Sequence, residues 1–152
     1  MERAPADRGP GHDGPDAYMP ITNGFDGIYG LEIARTPVGE SDGGVVHGRV
    51  HVGPQLLGAE GRLHGGVPAA IAESLASHGT GFATLERGLV VSGLSNDTTV
   101  TAPVAAGTTV HAEATPHSRA DDHWVWSVQL RDDAGRLCAF SRVTIAVRPA
   151  RR

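Results

Sequence analysis

A single cysteine, Cys138, excludes an internal disulfide and leaves no cysteine-rich zinc site. Basic residues are not in excess. Thirteen Lys and Arg stand against 17 Asp and Glu, for a formal charge of −4, so the positive field of a general nucleic-acid binder is missing. No apolar run approaches the ~20 residues that a bilayer-spanning helix needs. The first residues hold no apolar stretch of the signal-peptide kind. These absences point to a cytoplasmic protein without a membrane span. The chain does have the makings of one core: 152 residues, 39 % hydrophobic and 20 % charged. That is enough for one domain and too little for two ordinary ones. Glycine is abundant with 21 residues, and proline adds 10.

Residues 1–20 read as a mobile tail, with Pro5, Pro10, Pro15 and Pro20 among glycines and charges and almost nothing apolar. Residues 21–152 form the single folded domain. A first strand is expected at Ile28–Ile33, then a turn at Gly39–Gly44. A second strand, Val46–Val52, has alternating apolar positions. A loop at 53–66 leads into the one long helix, Val67–Leu85, with Pro68 in its first turn, where no helical partner is lost. Ala, Ile, Leu and Ser dominate it, so it is expected to be buried nearly all round, with Gly79 and Gly81 loosening its last turns. Four strands follow: Leu89–Val100, Thr108–Pro116, Trp124–Arg131 and Leu137–Val147, the last two joined by a tight turn at Asp132–Arg136. Short connections force antiparallel pairing. The result is an α+β fold with an antiparallel sheet wrapped around one central helix. There is no internal repeat.

Chemistry concentrates at the start of that helix. His64-Gly65-Gly66 leads into it, and Glu73 and Ser77 follow one turn apart on one face. Two glycines at a helix start allow bare N–H groups to meet an oxygen that carries negative charge, with the helix dipole adding to the attraction. This is the construction of an oxyanion hole. A plainer reading stays open: His-Gly-Gly as a loop turn, and Glu73 as a partnered structural carboxylate. The composition of the helix weighs against it. A buried carboxylate is costly unless partnered or used, and His78 is the only nearby residue of the helix able to neutralise it. Trp124 and Trp126 share a strand face and read as packing residues, Cys138 as a buried thiol. His47 and His51 share a face without a third metal ligand. No metal and no cofactor is expected.

The stretch LHGGVPAAIAESLAS (63–77) resembles the central-helix signature of hotdog-fold acyl-CoA thioesterases. LRDDAGRLCAFSRVTIAVRP (130–149) is similar to the branch of 4-hydroxybenzoyl-CoA thioesterases that use a helix Glu. Asp26-Gly27-Ile28-Tyr29-Gly30 and Gly93-Leu94-Ser95-Asn96 extend the likeness, which spans about residues 24–149. The resemblance implies hydrolysis of an acyl, aryl-like thioester. It gives Glu73 the role of attacking the carbonyl or activating water. The Gly65 N–H would polarise the carbonyl oxygen, with Gly66 beside it. His64 would position the thioester or its loop, and Ser77 would hold the water or the Glu. Asp26 would line the acyl pocket from the partner subunit. The family's sites lie between two subunits, which implies a homodimer and a homotetramer built from it.

Two departures stand out. Relatives carry a Gln six residues before the histidine, where this chain has Gly58; Gln55 is the substitute at hand. Asp121 and Asp122 stand where relatives bind the CoA nucleotide with hydroxyls, and two carboxylates repel phosphates; Arg119, Arg148, Arg151 and Arg152 are the compensating cations. The departures leave room for a carrier-protein thioester, and for a non-catalytic acyl-CoA binding module. A hydratase on the same fold ranks last, since it needs a differently arranged histidine and acid.

Overall fold

The computed structural model describes residues 17–36 and 44–151. The mobile-tail expectation for 1–20 and the turn at Gly39–Gly44 fall almost wholly outside them. The described end of the tail is a short strand, β1 (Met19–Pro20), paired with the next strand. Then come a short helix α1 (Gly24–Ile28), β2 (Glu32–Thr36), β3 (Val45–His51), the long helix α2 (Gly66–Thr84), β4 (Leu89–Val100), β5 (Thr109–Arg119), β6 (His123–Arg131) and β7 (Leu137–Pro149). The strands form one antiparallel seven-stranded sheet in the order β1-β2-β3-β5-β6-β7-β4. Strand β4, twelve residues long, is one edge of it, and the short β1 is the other.

The first strand lies four residues later than expected. Ile28 and Tyr29 belong instead to the end of α1 and the turn after it, because Gly30 adopts a positive φ of 76° and reverses the chain there. In β3 and β6 the alternation works as the sequence suggests: Val46, Val50, Trp124, Trp126, Val128 and Leu130 are all buried. They meet one face of α2, from Ile71, Ala72, Leu75 and Ala76 to Thr80 and Thr84. The Trp126 indole N–H donates to Thr80 Oγ1 at 2.9 Å, which in turn donates to the Ala76 carbonyl. Cys138 is buried, and burial pushes its thiol up from the ordinary value.

Two expectations about α2 are corrected. The helix is not buried all round. Its sheet-facing side is, but Glu73 and Phe82 on the other side are exposed in the single chain. It is not loosened at Gly79 either, and runs unbroken to Thr84. Gly79 is a packing site: a Cβ there would lie 2.6 Å from Trp126 Cζ2 and 3.0 Å from Val46 Cγ2. The missing side chain lets the sheet approach the helix at its largest buried residue. Among the described residues no helix is long and apolar enough to cross a membrane.

Candidate active site

The exposed side of α2 faces a groove of about 780 Å³, walled by α1 on one side and the start of β4 on the other. Its floor is a single helical stripe, spaced three and four residues apart: Ala70, Glu73, Ser74, Ser77, His78, Gly81, Phe82. Polar groups occupy the N-terminal part of this stripe. Phe82, Leu85, Leu89 and Val91 make the other end apolar. Glu73 and Ser77 thus share one groove, as their spacing suggests.

Glu73 forms no hydrogen bond or ion pair among the described residues. The His78 ring, its expected neutraliser, is engaged elsewhere: Nε2 lies 3.6 Å from Asp26 Oδ2. Asp26 Oδ1 accepts hydrogen bonds from Ser74 Oγ at 2.5 Å and Tyr29 Oη at 2.7 Å. The partly buried Tyr29 hydroxyl has its pKa raised, mainly by desolvation. This network docks α1 on α2 and places Asp26 in the wall of the same chain's groove as Glu73. Asp26 therefore lines the groove of its own chain. Sequence reasoning missed Ser74, Tyr29 and Phe82. For Ser74 the signal was available, since it is four residues before His78 on the Glu73 side of the helix.

The His-Gly-Gly segment stands apart, at the N-terminal end of α2. The Gly66 N–H donates to His64 Nδ1 at 3.0 Å, which fixes that nitrogen as an acceptor and leaves the ring proton on Nε2. The Val67 N–H donates to the His64 carbonyl. The Gly65 N–H has no partner among the described residues, so one donor at the positive end of the helix is free. Gly65 and Glu73 are eight residues apart, about 12 Å along the helix axis.

Gly58 lies in the loop against His64: a Cβ at that position would be 3.7 Å from His64 Cδ2. The Gln55 carboxamide folds back against Gly53, and Gln55 is outside the groove. Arg119 stacks over the Trp124 ring at 5.7 Å. Arg148 donates to the carbonyls of Asp122 and Val147. Neither arginine lines the groove. His123 holds the exposed Asp122 carboxyl below the usual range by a hydrogen bond. Among the described residues no three His, Cys, Asp or Glu gather in a metal-binding group.

No family model matches the chain. It is 35 % identical over 137 residues to a candidate esterase of Mycobacterium tuberculosis, covering 86 % of this chain and 92 % of that one. It is 33 % identical over 87 residues to the 1,4-dihydroxy-2-naphthoyl-CoA hydrolase of Escherichia coli, covering 57 % and 62 %. The match spans about three fifths of the length of several named relatives, including those of Haemophilus influenzae and Pasteurella multocida. Among solved structures, a thioesterase from Haemophilus influenzae superposes with a TM-score of 0.65 at 33 % identity, over 76 % of this chain and 77 % of that one. One sheet closed over one long helix, a glycine pair at that helix's start and these likenesses agree: the chain belongs to the hotdog-fold thioesterases.

Proposed function

We propose that the protein is a cytoplasmic hydrolase of acyl thioesters, with Glu73 as the reacting carboxylate. The observation that carries this reading is an unpartnered carboxylate on a helix otherwise poor in charge, placed in a groove whose far end is apolar. Such a group is ready to react with an acyl carbon whose hydrocarbon part lies against Phe82 and Val91. Either Glu73 adds to the carbonyl carbon, releasing the thiolate and leaving an anhydride that water cleaves, or it takes a proton from water as the water adds. In both routes the negative charge on the carbonyl oxygen is met by the free Gly65 N–H. Ser77, one turn beyond Glu73, positions the water.

The separation along α2 supports a two-chain site. The N–H must lie about 3 Å from the oxygen, and the carboxylate about 3–3.5 Å from the carbon of the same carbonyl. Donor and carboxylate on one helix are about 12 Å apart, and the N–H groups at a helix start point away from its body. Gly65 of one protomer therefore serves Glu73 of another. The exposed edge of β4, with Val90, Leu94 and Val100 more than half exposed, is the surface on which the homodimer forms. Pairing of such dimers gives a homotetramer.

The acyl group is proposed to be aryl or aryl-like, supported by the likeness to a naphthoyl-CoA hydrolase. Gly58 beside His64 and the exposed acid pair Asp121–Asp122 favour a second reading of the leaving group: a carrier-protein thioester, whose pantetheine arm lacks the nucleotide end. Thiol release from aroyl-CoA, alkyl-CoA and carrier-bound esters tests both readings. Wild-type turnover that is abolished in Glu73→Ala, with an unchanged melting curve, is the expected result. Undiminished turnover in that variant rejects the assignment. Acyl-CoA binding without thiol release would make the protein a binding module.

A further inference from the structure

Strand β4 turns its odd-numbered side chains toward α2 over its first half: Leu89 and Val91 are the half-buried ones, and Gly93 is next in the series. A bulge between Gly93 and Ser95 then shifts the register against β7, and the half-buried positions become Asn96 and Thr98. Gly93 is the helix-facing position without a side chain, and the Glu73 carboxylate lies there. A Cβ on Gly93 would be 3.0 Å from Glu73 Cδ and 3.6 Å from Cγ, and closer still to Oε1. The strand has little freedom to back away. On the far side of the bulge, Asn96 Nδ2 donates to the Ala69 carbonyl at 2.9 Å, one helical turn before Glu73. On its other flank, Gly93 is in register with Ile145 of β7.

We propose that Gly93 is a positioning residue, a vacant place in β4 that seats the Glu73 carboxylate and sets its direction. The proposal rests on the reading of Glu73 as the reacting group. A methyl at position 93 would displace the carboxyl by about 0.5–1 Å to restore ordinary carbon contacts. That is enough to cost ten- to a hundredfold in turnover when a reacting atom is misplaced by ~1 Å.

The test is a double-mutant cycle with two readouts. With benzoyl-CoA and hexanoyl-CoA as probes, Gly93→Ala is expected to lower kcat by about tenfold or more with KM little changed. The same substitution in a Glu73→Asp background, where the shorter side chain leaves room for the methyl, is expected to cost far less. Unchanged kcat in Gly93→Ala, or an equal loss in both backgrounds, overturns the proposal. The second readout needs no activity: in a crystal structure of Gly93→Ala the Glu73 carboxyl is expected away from its place beside position 93, at little cost in melting temperature because the displaced group is the exposed end of a flexible side chain. A carboxyl in the same place in the wild-type and Gly93→Ala crystals likewise overturns the proposal. Should Glu73→Ala retain full turnover, the catalytic reading fails on its own, and the two crystal structures still decide whether Gly93 seats the side chain.

Discussion

The two-chain site can be tested by recovering activity from two inactive proteins. One partner is Glu73→Ala. The other is Gly65→Pro, which removes the free N–H while keeping the backbone: Gly65 has φ −59°, close to the value fixed by proline, and its N–H bonds to nothing among the described residues. Loss of one oxyanion donor costs about 10²–10³ in turnover, and loss of the carboxylate leaves only background hydrolysis. If Gly65 and Glu73 of one helix served the same carbonyl, every site in a mixture of the two proteins would carry a defect. If the two-chain site is right, each site draws one group from each chain, the two being about 12 Å apart on one helix. Random mixing then gives one site in four an intact Gly65 opposite an intact Glu73, since a two-fold dimer repeats the same pairing. Co-expression with two different affinity tags, followed by thiol release with benzoyl-CoA, should return about a quarter of wild-type activity by this pairing. Mixtures shown by tandem pull-down to contain both chains, yet no more active than either parent, would refute the reasoning.

The packing at Gly79 makes a stability prediction with an internal control. Gly79→Ala forces Trp126 and Val46 aside and should cost about 1–3 kcal/mol, partly offset by better helix propensity. Gly81→Ala, whose methyl would meet only Val91 Cγ2 at an ordinary 3.8 Å, should stabilise by roughly 0.5–1 kcal/mol. Urea titration of both variants decides, and Gly79→Ala as stable as Gly81→Ala would contradict the packing argument. Asp26→Ala removes the shared acceptor of the Ser74 and Tyr29 hydroxyls, which keep only the 3.2 Å bond from Tyr29 Oη to Ser74 Oγ, and should cost about 0.5–1.5 kcal/mol in the same titration. Burial holds the His47 imidazole below its ordinary value, and Glu113 at 4.0 Å offsets only part of this. The unfolded chain then takes up a proton more readily, so the stability present above pH ~6.5 is lost as pH falls toward the depressed folded value. The melting temperature should drop over that range, and less steeply in His47→Gln.

The sheet was largely legible because its strands carry period-two patterns with few breaks. Leu89–Val100 matches its observed span residue for residue, and the helix agrees to within one residue at each end. The start of the chain was less so, since Ile28 and Tyr29 are strand-forming by type but are turned aside by the positive φ at Gly30. At the site, the Glu73–Ser77 face could be read from helical spacing alone. The partner of His78 could not, because Asp26 lies 52 positions away and only the docking of α1 brings it near. Nor could the open side of α2 be foreseen. Small apolar residues read the same whether they meet a core or the wall of a groove. The place of Gly93 depends on strand register and a bulge, neither of which a single sequence states.

Donor and carboxylate at opposite stations of one rigid rod have a consequence for concentration. On the proposed two-chain site, a solitary subunit would hold two halves of different machines and complete neither. Specific activity should then fall on dilution, tracking the monomer–dimer equilibrium, and the cell's supply of this polypeptide would set both how much enzyme exists and what fraction of it works.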